Sequence, residues 1–289
     1  MKILITGGSG FIGRNLTEQL NPRYSISAPD SKTLNLLDEV AVLSFLQENR
    51  FDVVIHSATW NATKTSPKDT SIVLENNLRM FFNLARGSRF YQKMIYYGSG
   101  AEFDRNHWIP KMDEDYFDSF VPADQYGFSK YLMNKYTEKA GNIYNLRLFG
   151  VYGKYEDWQI RFISQTCCRV IHDIPVVINQ NVNFDYTFID DVVEITDWFI
   201  NHEPKAKSYN ICSGKSSNLL ELARAIIAIS GKQSEIFIAS KEMGREYSGN
   251  NAKLLDEMFG FKFKNQDNCI SRLYKWYQDQ KEIQADKLV

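Results

Sequence analysis

Tyr126 and Lys130 lie four residues apart in a stretch, residues 124–141, whose pattern reads as a helix. On a helix that spacing puts both side chains on one face, so their polar tips can reach a common point. A phenol with a pKa of about 10 is a poor acid and a poor base at neutral pH, and a neighbouring ammonium favours the phenolate and lowers that value. The pair is therefore a candidate proton-transfer device. The competing reading is an amphipathic helix with a half-buried tyrosine and a solvated lysine, and only the surrounding elements separate the two. Two further stretches bear on the choice. Gly7-Gly8-Ser9-Gly10-Phe11-Ile12-Gly13 has the G-x-x-G-x-x-G spacing of a phosphate-binding loop. Ser99 stands between Gly98 and Gly100, either as a hydroxyl donor to a ligand or as a turn-forming serine.

Each of these needs an element to hold it. Residues 2–6, a short apolar run, read as a buried strand that breaks into the glycine loop and then into a helix. A dinucleotide site needs that order: glycine for the tight turn, for close backbone approach to pyrophosphate and for helix-on-strand packing, with the phosphates at the helix N-terminus. The alternative is an ordinary strand-to-helix turn. Further strands read at 24–28, 51–58, 93–98 and 142–149, with helices at 38–49 and 67–90. Asp30 ends the second strand, where an adenosine ribose belongs; it would bond a 2′-hydroxyl and repel a 2′-phosphate, whereas Ser31 and Lys32 could hold that phosphate. His56 is either a lining residue or a packed strand-end histidine.

The strand and helix alternation through about residue 150 predicts an α/β fold with a Rossmann-type doubly wound parallel sheet. That domain is expected to span 1–152, with 182–212 returning to it, and the looser 153–289 to form mostly a smaller substrate-binding lobe. There, helices read at 157–172, 192–201 (capped by Asp190-Asp191), from 218, at 251–259 and at 266–282, and strands at 176–178, 184–189, 208–212 and 235–238.

The formal net charge of −1, from 34 basic and 35 acidic residues, leaves no electrostatic footprint for nucleic acid or an anionic membrane, so any anion must be held locally. Cys167, Cys168, Cys212 and Cys269 show no CxxC spacing, which predicts neither a metal site nor a disulfide framework. No run of about 18 apolar residues and no charged leader is visible, so a cytoplasmic protein with no membrane partner is expected.

Taken in order, Thr6-Gly7-Gly8-Ser9-Gly10-Phe11-Ile12-Gly13, Ser99, Tyr126-x-x-x-Lys130, Arg147-Leu148-Phe149-Gly150-Val151-Tyr152-Gly153, Asp185-Tyr186-Thr187-Phe188-Ile189-Asp190-Asp191-Val192 and Tyr209-Asn210-Ile211-Cys212-Ser213-Gly214 form one set. The chain resembles, over nearly its whole length, the extended short-chain dehydrogenase/reductase family of nucleotide-sugar epimerases, dehydratases and reductases. The resemblance implies that Tyr126 is the acid/base, that Lys130 lowers its pKa and holds the nicotinamide ribose, and that Ser99 hydrogen-bonds the reacting sugar oxygen. It implies a cofactor site of Gly7, Ser9, Gly10, Phe11, Ile12, Gly13, Asp30, Ser31, Lys32, Leu37, Ser57, Ala58, Thr59, Asn76, Tyr126, Lys130, Phe149 and Val151. A homodimer through the helices after Pro67 and Asp124 is expected from the same source.

Within the family, dehydratases follow the serine or threonine with an Asp-Glu pair that eliminates water; here Gly100-Ala101 follows, which disfavours dehydration. Leu34-Asn35-Leu36-Leu37-Asp38 is similar to GDP-L-fucose synthases and related 4-keto-sugar reductases. Those synthases epimerise with a cysteine and a histidine where this chain has Ala101 and Tyr155, and an alanine is neither base nor acid. The resemblance thus implies NAD(P)H-dependent reduction of the 4-keto group of a nucleotide-linked deoxysugar, without C3/C5 epimerisation, in surface polysaccharide sugar biosynthesis. The reductases' 2′-phosphate arginines are replaced by Ser9 and Pro29; with Ser31, Lys32 and Arg14 as substitutes, NADP is expected ahead of NAD. Substrate contacts are expected from Ser99, Gly100, Ala101, Arg161 and Arg245, the two arginines being either anion clamps for the nucleotide diphosphate or solvated surface residues. The alternatives are an NAD-dependent nucleotide-sugar 4-epimerase, which Asp30 supports, and a non-catalytic dinucleotide-binding redox sensor.

Overall fold

The computed structural model of the chain describes residues 1–60, 68–280 and 288. Its first part alternates β1 (Lys2–Thr6), α1 (Phe11–Leu20), β2 (Ser25–Ser27), α2 (Glu39–Asn49), β3 (Phe51–His56), α3 (Val73–Arg86), β4 (Tyr91–Ser99), α4 (Gln125–Thr137) and β5 (Ile143–Leu148). After these come β6 (Gly150–Tyr152), α5 (Phe162–Ile171), β7 (Val176–Gln180), β8 (Asn183–Phe188), α6 (Ile189–Asn201), β9 (Ser208–Ile211), β10 (Ser216–Asn218), α7 (Leu219–Ser230), β11 (Ile236–Ser240), α8 (Ala252–Glu257) and α9 (Gln266–Gln278).

The main sheet has the order β2-β1-β3-β4-β5-β9, every pair parallel. Side chains of a strand alternate between faces, and a parallel sheet buries both. Ile3 and Ile5 of β1, Val53 and Ile55 of β3, and Ile95 and Tyr97 of β4 enter one core, which α1 and α6 cover. Leu4, Val54, Met94 and Tyr96 enter the other, against α2, α3 and α4. The chain leaves β1 toward β2 on one side and returns as β3 on the other, so a crevice opens at the carboxyl ends of β1 and β3, the switch point where such sheets bind ligands. The expected parallel α/β architecture is the observed one.

The C-terminal elements add two small sheets, β10-β8-β6 and β11-β7, while β9 extends the main sheet beside β5. Several boundaries differ from the sequence expectation. The helix expected over 67–90 begins at Val73 and ends at Arg86, with Ser88–Phe90 as a 3-10 turn; Pro67 lies outside the described residues, as does the expected end of the last helix at Glu282. The helix expected from Asp157 begins at Phe162, because 157–161 close a separate turn in which the N–H of Arg161 donates to the Asp157 carbonyl at 3.0 Å. Asp190 and Asp191 lie inside the first turn of α6 rather than capping it; Asp191 is buried and binds Lys264 at 2.8 Å instead.

Candidate active site

Beneath the carboxyl ends of β1, β3 and β4 runs a cleft of about 1280 Å³, bounded on the far side by the C-terminal elements. Sites for one small molecule usually enclose roughly 300–1,000 Å³. This one has room for two ligands end to end. Its N-terminal wall carries Gly7, Ser9, Gly10, Phe11, Ile12 and Gly13, then Asp30, Ser31, Leu37, Ser57, Ala58 and Thr59. Gly7 has φ +72°, and a Cβ there would come within 2.7 Å of the Ala58 backbone; one on Gly13 would lie 2.1 Å from the Gly7 carbonyl oxygen. The space those missing side chains leave is a cradle of main chain. Helix α1 starts over it with no side-chain cap and no acidic residue in its first turn, so its leading N–H groups keep their positive end toward the cleft.

Asp30 is exposed at the end of β2, and the Thr33 and Lys32 N–H groups that it accepts hold its carboxyl below the ordinary range. His56 lines the cleft while almost fully buried, its Nδ1 2.8 Å from Thr6 Oγ1, and burial, then Lys130, pulls its pKa down to about 3. It is neutral wherever the protein is folded near neutral pH, so the packed-histidine reading describes it.

Ser99, Tyr126 and Lys130 all line the cleft. Asp124 caps α4 by accepting the Gly127 N–H at 2.9 Å, which fixes the turn that bears Tyr126. Lys130 is buried; its Nζ donates to the Tyr97 carbonyl at 2.8 Å and lies 5.9 Å from the Tyr126 ring centroid. Burial pulls the ammonium down to about 8, with Glu102 opposing. Tyr126 departs from expectation: burial raises its phenol above the ordinary range, Ser99, Arg161 and Arg105 pull it the other way, and Glu102 adds to the rise.

Ser99 is seated by a buried polar network that no local sequence pattern announces. Its N–H donates to Glu102 Oε1 at 3.0 Å and its Oγ accepts the Ala101 N–H at 3.2 Å. Glu102 is completely buried, pairs with Arg147 Nε at 2.8 Å and accepts Asn145 Nδ2; Arg147 in turn donates to Asn210. A Cβ on Gly98 would fall 2.1 Å from Asn145 Oδ1 and 2.2 Å from Glu102 Oε1, so only glycine fits there. Burial raises the Glu102 carboxyl, with Arg147 opposing.

The C-terminal wall consists of side chains: Glu156, Arg161, Phe184, Tyr186 and Tyr247, with Phe149 and Val151 from the strand-five end and Arg105 and Trp108 from the loop after β4. Glu156 is buried, accepts Ser164 Oγ, and is pushed by burial up to about 8. Arg105, Trp108, Glu156 and Tyr247 were not expected; no local pattern marks them, since each reaches the cleft through contacts distant in sequence.

Five expected site residues do not line the cleft. Lys32 is exposed beside it. Asn76 is buried in α3, and its neighbour Asn77 is the residue that holds the strand-three loop, accepting the Trp60 N–H at 2.7 Å and the Thr59 hydroxyl at 3.1 Å. Gly100 and Ala101 are buried behind Ser99 in a 3-10 turn. Arg245 turns its guanidinium to the Arg105 carbonyl, at 3.2 Å, and to the Asn106 carbonyl, so it braces the loop that carries Arg105. Arg14, expected as a substitute for a 2′-phosphate arginine, instead stacks on Tyr155 at 3.7 Å and pairs with Glu18, and Tyr155 donates to Glu18 at 2.7 Å, both away from the cleft. Among the described residues no helix is long and apolar enough to cross a membrane and no acidic, histidine or cysteine cluster could hold a metal.

Comparison with known proteins agrees with this geometry. The chain is 25% identical over 272 residues to the ADP-L-glycero-D-manno-heptose-6-epimerase of Brachyspira hyodysenteriae, covering 82% of this chain and 84% of that one. It is 27% identical to the same enzyme of Cupriavidus pinatubonensis, over 78% and 77% of the two chains. Its fold matches UDP-glucose 4-epimerase of Thermotoga maritima, with TM-score 0.81, 21% identity and coverage of 96% and 99%. It also matches the GDP-mannoheptose C4 reductase of Campylobacter jejuni, with TM-score 0.80, 19% identity and coverage of 96% and 98%. Residues 3–212, from the first strand to the end of the main sheet, match one family model, and the chain belongs to the NAD dependent epimerase/dehydratase family.

Proposed function

We propose that the protein reduces the 4-keto group of a nucleotide-linked sugar at the expense of NADPH or NADH, without C3/C5 epimerisation. The observation that carries the reading is that Ser99, Tyr126 and Lys130 line the same cleft as the main-chain cradle around Gly7 and Gly13. The cradle and the uncapped start of α1 fit a dinucleotide pyrophosphate. At the adenosine end, Asp30 suits a 2′-hydroxyl and Ser31 a 2′-phosphate, so these two residues set the choice between NAD and NADP. Bound in this cleft, a reduced nicotinamide supplies hydride.

The chain's own residues supply the rest. Ser99 polarises the carbonyl, and Tyr126 gives its phenolic proton to the oxygen as negative charge develops there. A phenol raised by burial is still fully protonated at neutral pH, which suits a donor in the reducing direction. Lys130 remains largely charged at neutral pH and stabilises the phenolate that forms. Ala101 is buried behind Ser99 and Tyr155 faces Glu18, so neither position where related synthases keep an epimerising group presents one to the sugar. Arg161 and Arg105, both on the cleft, are placed to bind the diphosphate.

The test is to offer wild-type protein NADPH and NADH in turn with a panel of 4-keto-6-deoxy nucleotide sugars and follow nicotinamide oxidation. Oxidation with at least one sugar is expected; none with any sugar sinks the reading. A second reading, a nucleotide-sugar epimerase, is favoured by the names of the matched heptose epimerases and by Asp30. It predicts tightly retained NAD and interconversion of two sugars with no net cofactor consumption.

A further inference from the structure

Tyr247 is a phenol that the reaction above leaves unused, and it ends at the reaction centre. Its backbone is fixed alongside β8: its N–H donates to the Asn183 carbonyl at 2.9 Å and its carbonyl accepts the Asp185 N–H at 3.0 Å. Its ring is clamped between Trp108, at 4.1 Å between centroids, and Phe149 and Phe184, each at 5.1 Å. Only 7% of the residue is exposed, and what is exposed lines the cleft. The hydroxyl comes to rest over Gly100, where a Cβ would lie 2.5 Å from it, and the Trp108 indole holds the Gly100 carbonyl at 3.2 Å. Such a position adjoins Ser99, whose side chain interacts with both Tyr126 and Tyr247. Ser99 therefore stands between two phenols, one from α4 and one from the C-terminal wall.

A serine hydroxyl has one proton to give and two lone pairs to fill. The Ala101 N–H occupies one lone pair of Ser99. We propose that Tyr247 is a positioning residue that donates its hydroxyl proton to the other, so that Ser99 has only its own proton left, and that proton points at the sugar carbonyl. The inference rests on the reading that Ser99 polarises a keto group. Burial keeps the Tyr247 phenol above its ordinary range, so it remains a donor across the pH range of activity. Without it, Ser99 is free to turn its proton to a neighbouring phenol, and the carbonyl loses a hydrogen bond.

Tyr247→Phe keeps the ring and its packing and removes one oxygen. On the sugar of the 4-keto panel that wild type reduces, kcat should fall about tenfold, the worth of one well-placed hydrogen bond, with NADPH affinity unchanged by fluorescence titration. In a Ser99→Ala background the same substitution should cost nothing more, because Tyr247 acts through Ser99. Multiplying losses in the double variant, or an unchanged kcat in Tyr247→Phe, overturn the proposal. A crystal structure with NADP⁺ reads the same claim without turnover. A Tyr247 Oη to Ser99 Oγ separation of about 2.7–2.8 Å supports it, and a hydroxyl turned away from Ser99 defeats it. If wild type oxidises neither cofactor with any sugar, the reductase reading falls while the crystal structure still decides the role of Tyr247.

Discussion

The N-terminal wall of the cleft is built around main chain: the glycines of residues 7–13, the N–H groups that open α1, and small residues such as Ser57 and Ala58 after β3. The C-terminal wall meets its ligand with side chains, among them Glu156, Arg161, Phe184, Tyr186 and Tyr247. A main-chain surface has no atoms to exchange, and it recognises what is common to a whole class of ligand, such as a pyrophosphate. A side-chain surface can be altered one group at a time. The first wall is therefore damaged by adding atoms and the second by removing them, and Tyr126 and Lys130 on α4, the proposed catalytic pair, sit between the two.

Substitutions can break that contrast or sharpen it. The largest effect belongs to the seam: Tyr126→Phe should lower kcat by roughly 10²–10⁴-fold while leaving cofactor affinity intact, and a variant with wild-type turnover removes Tyr126 from the chemistry. Next, Gly13→Ala adds one methyl group 2.1 Å from the Gly7 carbonyl oxygen. A loss of about 1–3 kcal/mol in NADPH affinity or unfolding free energy is expected, and an unaffected variant would show that the N-terminal wall yields more readily than described here. On the other wall, Arg161→Ala should raise KM for the nucleotide sugar about tenfold with little change in kcat, the signature of a lost charge-assisted contact. Arg245→Ala should do less, since it only braces the Arg105 loop. Equal effects, or the reverse order, would return Arg245 to the role of clamp.

A last effect is on stability alone, and it is a pH dependence. Burial lifts the Glu156 carboxyl from 4.5 to about 8, so between those values the folded protein keeps a proton that the unfolded chain has released. Stability then falls as pH rises through that window, because the unfolded state binds fewer protons. Glu156→Gln removes the group, and its melting temperature relative to wild type should climb steadily from about pH 4.5 to pH 8. A difference independent of pH would mean that Glu156 is ionised in the folded state.

How far the molecule could be read in advance follows the same division. The β1 strand, glycine loop and α1, the Asp124 cap with Tyr126 and Lys130, and Ser99 at the end of β4 are all local patterns, and each was legible because neighbours in sequence determine it. The parallel α/β sheet followed from their alternation. Arg105, Trp108 and Tyr247 were not legible, since what brings them together is packing between the loop after β4 and a segment about 140 residues later, as the Lys111 N–H to Ser248 Oγ bond of 2.8 Å at that separation illustrates. The partners of Arg245 were hidden for the same reason: a sequence reveals a cation but not the carbonyls, here those of Arg105 and Asn106, that it meets. The burial of Tyr126, which raises its phenol, was hidden as well, because no spacing reports it.

The buried pair of Glu102 and Arg147 under Ser99 has a consequence for descent as well as for chemistry. Losing either partner strands a charge in the interior at a cost of about 3–5 kcal/mol, a large part of a domain's stability, whereas exchanging both together is tolerable. Single mutational steps away from the pair therefore pass through poorly folded ancestors, which makes it an epistatic lock on the seat of the serine. Lineages that change sugar are expected to do so by editing the opposite wall, where each step leaves a viable protein.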